Sequence, residues 1–220
     1  MPNFYKNPRD TSYALRGTVK PGCLLFAEGD SEALFLEKWL VTISRDPNDI
    51  AVICFKGKDN LEIVFKNLAD GENFSNVERF GFFLDAEGGP ATRKATMVTG
   101  LLNRFSIIPN GHHVRAGQLS QVGGKRIALF VSPDNASSGY IEDAVMNEIL
   151  TDDLSPCIDS FRQCVARISG SAVSSKSLVQ AYIGAYNPRI CGTGRGFESG
   201  ILKVMHDAYA NVRNVISTVL

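Results

Sequence analysis

The chain has 220 residues, of which 44% are hydrophobic and 21% charged, and this composition is typical of a globular domain with a single core. Its 23 basic and 23 acidic residues give a formal net charge of zero, which argues against a generic polyanion binder. The polar N-terminus lacks the apolar segment of a signal peptide, and no run of about 18 apolar residues predicts a transmembrane helix. We therefore expect a cytoplasmic protein with no membrane partner.

Apolar runs and amphipathic segments alternate after a polar N-terminal arm at residues 1–20. The runs CLLFA, IAVICF, RFGFFLD and RIALFVSP predict four strands, and the segments that follow them predict four helices. Residues 109–124 are predicted as a loop that includes at most an irregular strand. This order predicts an α/β core at residues 21–153, with a mostly parallel central sheet and helices on both faces. Residues 154–220 are predicted to be a helical C-terminal portion packed on that core.

Acidic residues follow the ends of these predicted strands. Glu28 ends the first strand, Asp85 and Glu87 end the third, and Glu142 begins the helix after the fourth. Ligands of open parallel sheets bind outside the carboxyl ends of the strands, so these acids are candidate site residues. Two alternatives stay open: Glu28 belongs to an ordinary solvated turn, and Glu32 and Glu142 are first-turn acids that complement the helix dipole.

Several carboxylates facing one another favour a bound cation. Two carboxylates about 4 Å apart repel by about 4 kcal/mol at an effective dielectric constant near 20. Oxygen ligands without a neighbouring histidine or cysteine favour Mg²⁺ or Mn²⁺. Such ions bind phosphoryl oxygens and activate water, so converging acids at this edge predict phosphoryl-transfer chemistry.

Two of these segments resemble known motifs. AEGDSEALFL is similar to the first Toprim motif, and FFLDAEGG is similar to the second, which usually has an Asp-x-Asp pair at a strand end. The segments KGKDNL, FVSPDNASSGYIEDAVMNEI and SSKSLVQAYIGAYNPRICGTG resemble an uncharacterised Toprim-like family (domain of unknown function, 3226 series), related to OLD-family nucleases. The resemblance covers roughly residues 24–200 and implies a Toprim-like fold.

The resemblance implies roles for the acidic residues. Glu28 would be a metal ligand or a general acid/base, Glu32 the acid that follows it, and Asp85 and Glu87 the aspartate pair. Glu142 would complete a second metal site. Glu32 and Glu87 are longer than the aspartates of many relatives, which puts the geometry of the metal site in question. The resemblance also implies that Lys176 matches a downstream catalytic lysine.

Basic residues concentrate in one part of the chain. Residues 88–133 contain no acid, whereas residues 134–161 contain seven acids and no lysine or arginine. We predict that the basic block contacts backbone phosphates, although two solvated faces that pair with each other would explain the same pattern. The predicted nucleic-acid-binding residues are Arg93, Lys94, Arg115, Lys125 and Arg126.

Three smaller predictions concern the remaining motifs. The cysteines in apolar stretches are expected to be buried free thiols, namely Cys23, Cys54 and Cys164. Tyr182 and Tyr186, one turn apart on a predicted helix, are expected in the core. Residues 192–200, with sequence GTGRGFESG, are predicted to be a flexible connector because no clear strand precedes them.

Taken together, the residues and the resemblance predict a Mg²⁺- or Mn²⁺-dependent phosphodiesterase or endonuclease that acts on RNA or DNA. Analogy with related nucleases adds a role in defence with a separate ATPase subunit as partner, and a homodimer is a further expectation. The main alternative is a catalytically silent Toprim-like module for nucleic-acid binding or assembly. A phosphotransferase or phosphatase acting on a small substrate is the third.

Overall fold

The computed structural model describes residues 3–5, 22–45, 49–71 and 74–220. At its centre lies a six-stranded sheet with the strand order β1-β3-β2-β4-β6-β5. The first five strands in that order are parallel, and the edge strand β5 pairs antiparallel with β6. The strands are β1 (Asn3–Tyr5), β2 (Cys23–Ala27), β3 (Ile50–Cys54), β4 (Arg79–Asp85), β5 (Leu119–Val122) and β6 (Lys125–Ser132).

Helices cover both faces of the sheet and make up the C-terminal portion, as predicted. The first four follow the predicted segments closely, and none of the helices in the described part of the chain is long and apolar enough to cross a membrane. The helices are α1 (Asp30–Thr42), α2 (Leu61–Ala69), α3 (Ala91–Arg104), α4 (Ile141–Ile149), α5 (Ser155–Ser169), α6 (Ser175–Tyr186), α7 (Thr193–Ser199) and α8 (Ala210–Ser217).

The central strands are apolar at every position because both of their faces are covered. In β2, Cys23, Leu25 and Ala27 pack into one core cluster, while Leu24 and Phe26 pack into another on the opposite face. This alternation follows from the two-residue period of a strand. The first cluster includes residues of α1, α4, α6, α7 and α8, and the second includes residues of α2 and α3.

The strand order reverses between β2 and β4. From β2 the chain passes through α1 to β3 on one side, and then through α2 to β4 on the other side of β2. The helices α1 and α2 belong to the core clusters on opposite faces. Such a reversal leaves a crevice outside the carboxyl ends of the two strands, where ligands of open α/β sheets bind. Glu28 and Asp85 stand at these two strand ends.

The C-terminal helices complete the core beside β4. A side chain added at Gly81 of β4 would meet Leu25, and also Val219 and Ile216 of the C-terminal segment at 3.3 and 3.7 Å. Arg79, at the start of β4, donates a hydrogen bond of 2.7 Å to the carbonyl of Leu220. The last residues of the chain therefore pack directly on the central sheet.

Four smaller predictions need correction. Part of the predicted N-terminal arm, residues 3–5, pairs with β3 as an edge strand, and residues 6–20 lie outside the described residues. Cys164 on α5 is exposed, unlike Cys23 and Cys54, because α5 buries little more than Ile158. Tyr186 is half exposed, and its hydroxyl donates to Asp152, whereas Tyr182 is buried as predicted.

The fourth correction concerns residues 192–200, which form helix α7 and not a flexible connector. Helix α7 packs against α1 at Gly194, where an added Cβ would lie 2.8 Å from Leu34 and 3.0 Å from the carbonyl oxygen of Asp30. Gly194 in this segment allows the two helices to approach closely.

Candidate functional site

Glu28 and Asp85 meet at the reversal of the sheet. Their strands are neighbours, and Glu28 extends β2 by donating its backbone N–H to the carbonyl of Phe83 at 3.1 Å. The carboxylate of Glu28 accepts the backbone N–H of Asp85 at 3.1 Å. One oxygen of Asp85 in turn accepts the backbone N–H of Ile141, the first residue of α4, at 3.0 Å. The two acids are thus brought together as predicted.

Lys94 is the unexpected member of this group. Its ammonium lies 3.0 and 2.9 Å from the two carboxylate oxygens of Glu28 and 3.4 Å from Oε2 of Glu87. Lys94 is only 4% exposed. Its predicted role as a surface contact to backbone phosphates is therefore wrong, because its charge is enclosed between two acids of the candidate site.

Glu87 lies in a loop with an unusual backbone conformation. Its φ of +57° is in the left-handed region, and its N–H and C=O exchange hydrogen bonds of 2.9 Å with Gly139. Gly139 has φ of +142°, and an added Cβ there would come within 2.5 Å of Asp143 and 3.2 Å of Pro133. Glycine is therefore required at position 139, where the loop after β6 is hydrogen-bonded to the loop after β4.

Glu32 and Glu142 approach the same region from the first turns of α1 and α4. Glu32 is 3% exposed and accepts the backbone N–H of Gly29 at 2.9 Å, so it caps α1 as well as facing the site. Glu142 is buried and accepts the hydroxyl of Thr193, the first residue of α7, at 2.7 Å. Both acids do lie in the first turn of a helix, as the dipole alternative has it, but that alternative does not account for the burial of either acid.

One cleft of about 870 Å³ is lined by Glu32, Asp85, Glu87 and Glu142, but not by Glu28 or Lys94. The predicted lysine, Lys176, stands at this cleft as an exposed residue in the first turn of α6. Beside it, Ser175 donates a hydrogen bond to Asp143, which also accepts the backbone N–H of Tyr140 at 2.8 Å. The acidic residues of the lining are Asp30, Glu32, Asp85, Glu87, Glu142 and Asp143.

The cleft is unfavourable for several negative charges. Burial raises the pKa of Asp85 from its ordinary 3.8 to about 9, and the charges of Glu32, Glu142 and Glu28 add to the effect. Burial likewise raises the pKa of Glu32 from 4.5 to about 7, with further contributions from Glu142 and Glu28. Both carboxyls are therefore held partly or wholly protonated near neutral pH unless a positive charge enters the cleft.

The chemistry of the donors fits a hard divalent cation, although the site is not preassembled. Carboxylate oxygens are the preferred ligands of Mg²⁺ and Mn²⁺, and Glu142 is near enough to Asp85 and Glu32 for its charge to add to the raised pKa of both. Within the described ranges, no three histidine, cysteine, aspartate or glutamate side chains already form a group that could hold a metal ion. Binding an ion therefore requires these side chains to move toward one another.

The other predicted nucleic-acid-binding residues lie at two opposite ends of the strands. Arg93 is exposed on the first turn of α3, and Arg115 is exposed in a groove with Thr92 and Asn135, close to the carboxyl ends of β4 and β6. Lys125 and Arg126 begin β6, so they lie at the opposite edge of the sheet.

The side chains of Lys125 and Arg126 form hydrogen bonds with backbone carbonyls. The ammonium of Lys125 donates to the carbonyls of Ser75 and Val77, and Arg126 donates to the carbonyl of Thr218. Their predicted role as nucleic-acid contacts next to the acids is therefore wrong, because the strand direction places them away from the cleft.

The comparisons with known proteins agree with this architecture. The family model "Protein of unknown function (DUF3226)" matches residues 23–220. The chain belongs to the DUF3226 family. It is also similar to the crystal structure of hypothetical protein PH0156 from Pyrococcus horikoshii OT3, with a TM-score of 0.55 and 15% identity over 89% of this chain and 94% of that one. That likeness shows the fold alone. No curated protein matches the sequence.

Three residues of this DUF3226 site were missed by the sequence reasoning. Thr193 and Ser175 belong to C-terminal helices, and only the folded chain brings them to Glu142 and Asp143. Lys94 lies 66 residues from Glu28 in the sequence. The local feature that could have assigned Lys94 to the site was its position in the first turn of the helix that follows Asp85 and Glu87.

Proposed function

We propose that the chain is a divalent-cation-dependent phosphodiesterase that cleaves nucleic acid, with a Toprim-like fold related to OLD-family nucleases. The observation that supports this most is the cleft at the reversal of the sheet, where Glu32, Asp85, Glu87 and Glu142 surround one space. The similarity of AEGDSEALFL and FFLDAEGG to the two Toprim motifs supports the same conclusion. Partnership with a separate ATPase and formation of a homodimer stay predictions.

Glu32, Asp85 and Glu142 are the proposed cation ligands. All three line the cleft, and the raised pKa values of Glu32 and Asp85 reflect burial first and then neighbouring carboxylate charges that a cation would neutralise. Bound Mg²⁺ or Mn²⁺ would polarise the phosphodiester and favour ionisation of the attacking water. The hydrogen bond from Ile141 to one oxygen of Asp85 fixes the orientation of that carboxylate relative to α4.

Lys176 and Glu87 both line the cleft where a phosphate would bind. Lys176 is exposed and lines the cleft, so its ammonium can contact a phosphate oxygen bound there, which fits its proposed catalytic role. Glu87 is about 40% exposed at its side chain, so it is accessible to water as a proton acceptor. Its position is held by the paired hydrogen bonds with Gly139.

The first test of the proposal is the Asp85→Asn variant, which preserves shape and hydrogen-bonding capacity but removes a charge. We expect Mg²⁺- or Mn²⁺-dependent cleavage of RNA or DNA to fall by roughly 100-fold or more, because a ligand of the cation is lost while the fold survives. Cleavage is measured on labelled single- and double-stranded substrates of both kinds.

The matched control is Asp134→Asn. Asp134 also follows a parallel strand, but it is exposed, and its carboxylate accepts the N–H groups of Ala136 and Ser137 outside the cleft. This variant should cleave as the wild type does. Equal cleavage by wild type and Asp85→Asn would refute the nuclease. If neither protein cleaves any substrate and both bind nucleic acid alike, the silent binding module is the correct account.

A further inference from the structure

Lys94 divides the acidic residues of the site into two groups. Glu28 and Glu87 both contact its ammonium, at 2.9 and 3.4 Å. Among the ion pairs of the described residues, none includes Glu32, Asp85 or Glu142. One group therefore has its own positive charge within the protein, and the other depends on a charge that enters from solution.

The contacts of Lys94 resemble those of a bound metal ion. The ammonium touches both oxygens of Glu28 and one oxygen of Glu87, as a cation bridging two carboxylates would. The side chain is about 5% exposed, so water provides little competing solvation. A lysine ammonium has three donors; Lys94 makes two hydrogen bonds to Glu28 and an ion pair with Glu87.

We propose that the ammonium of Lys94 takes the place of a second divalent cation, so that each chain binds one ion, through Glu32, Asp85 and Glu142. The proposal deepens the proposed function and depends on it. Glu28 is then not a metal ligand. Together with Lys94 it is a positioning residue, because the same carboxylate that binds Lys94 also accepts the backbone N–H of Asp85.

Counting bound ions tests this proposal directly. Mn²⁺ is titrated into purified full-length protein, and free Mn²⁺ is followed by electron paramagnetic resonance. Wild type should bind one ion per chain. Lys94→Met leaves Glu28 and Glu87 without their cation and should bind two. The control Arg93→Met removes the same charge from the exposed neighbouring position on α3 and should still bind one.

Glu28→Gln provides a second measurement that does not require Lys94 to be replaced. Glutamine keeps an oxygen for the N–H of Asp85 and for the ammonium of Lys94. Because Glu28 is not a ligand in this proposal, the variant should bind one Mn²⁺ with an affinity within about threefold of wild type. This readout remains decisive if Lys94→Met does not fold.

The outcomes separate this inference from the proposed function. Two ions on wild type, one ion on folded Lys94→Met, or loss of the ion in Glu28→Gln would each overturn the role of Lys94 while leaving a cation-dependent enzyme in place. No bound Mn²⁺ on wild type at millimolar concentration would instead overturn the proposed cation site and this inference together.

Discussion

Asp85 makes the stability of the cation-free protein depend on pH. Its pKa is raised to about 9 by burial and by the charges of Glu32, Glu142 and Glu28. Between pH 3.8 and about 9 the folded protein therefore retains a proton that the unfolded chain has released. Deprotonation favours the unfolded chain, so the free energy of unfolding should fall by about 1 kcal/mol per pH unit between roughly pH 5 and 8.

Urea denaturation at a series of pH values, with a chelator present, measures this slope. Asp85→Asn should make the free energy of unfolding depend less on pH, above all beyond pH 7, where the raised pKa of Glu32 contributes less. Asp134→Asn is the control, because hydrogen bonds from Ser137 and Ala136 lower the pKa of Asp134 and its contribution no longer changes above about pH 5. A slope in Asp85→Asn as steep as in wild type would show that the Asp85 carboxyl is not held protonated.

At the scale of elements, the contact between α1 and α7 positions two acids of the site. Gly194 lies against the first turn of α1, which contains Glu32, and Thr193 binds Glu142. Gly194→Val places methyl groups where a Cβ alone would lie 2.8 Å from Leu34. We expect a loss of about 1–3 kcal/mol in the free energy of unfolding, because the two helices must move apart.

Chemical denaturation compares this variant with Gly184→Ala. Gly184 lies within α6, and an added Cβ there would meet no atom within 4 Å. Alanine at this position should leave stability unchanged or raise it by up to about 1 kcal/mol, since it favours helix more than glycine does. If both variants behaved alike, close packing of α7 on α1 would not explain the glycine at position 194.

At the scale of the whole molecule, the parallel sheet determines which basic residues can serve the cleft. Arg93 and Arg115 lie near the carboxyl ends of the strands, whereas Lys125 and Arg126 lie at the opposite edge. The double variant Arg93→Glu/Arg115→Glu should weaken nucleic-acid binding for all sequences. It should also lower the slope of log K against log salt by about 2, one for each lost phosphate contact.

Fluorescence anisotropy at several salt concentrations measures this change. The matched control is Arg45→Glu/Lys66→Glu, which makes the same change in net charge at two exposed residues near the carboxyl-terminal ends of α1 and α2, away from the cleft. An equal loss of affinity in both double variants would indicate that net charge, and not the edge beside the cleft, governs binding.

Much of the fold could be predicted because its signals are local. The apolar runs at β2, β3, β4 and β6 and the helical spacing between them required only the periods of strands and helices. The approach of Glu28 and Asp85 was also predictable, since parallel strands end at the same edge. The short edge strand β1 was missed, because three residues in a polar context provide no periodic pattern.

Local patterns in the amino-acid sequence specify the alternation of strands and helices and the edge of the sheet where acids collect, since both depend on neighbours along the chain. Which charged side chains belong to the site depends instead on the packing of segments that are distant in the sequence. Lys94 and Lys125 belong to one basic block in the sequence, yet one is enclosed by Glu28 and Glu87 and the other binds backbone carbonyls at the far end. A charged side chain has no local pattern that reveals its partner, because that partner is chosen by the packing of distant segments.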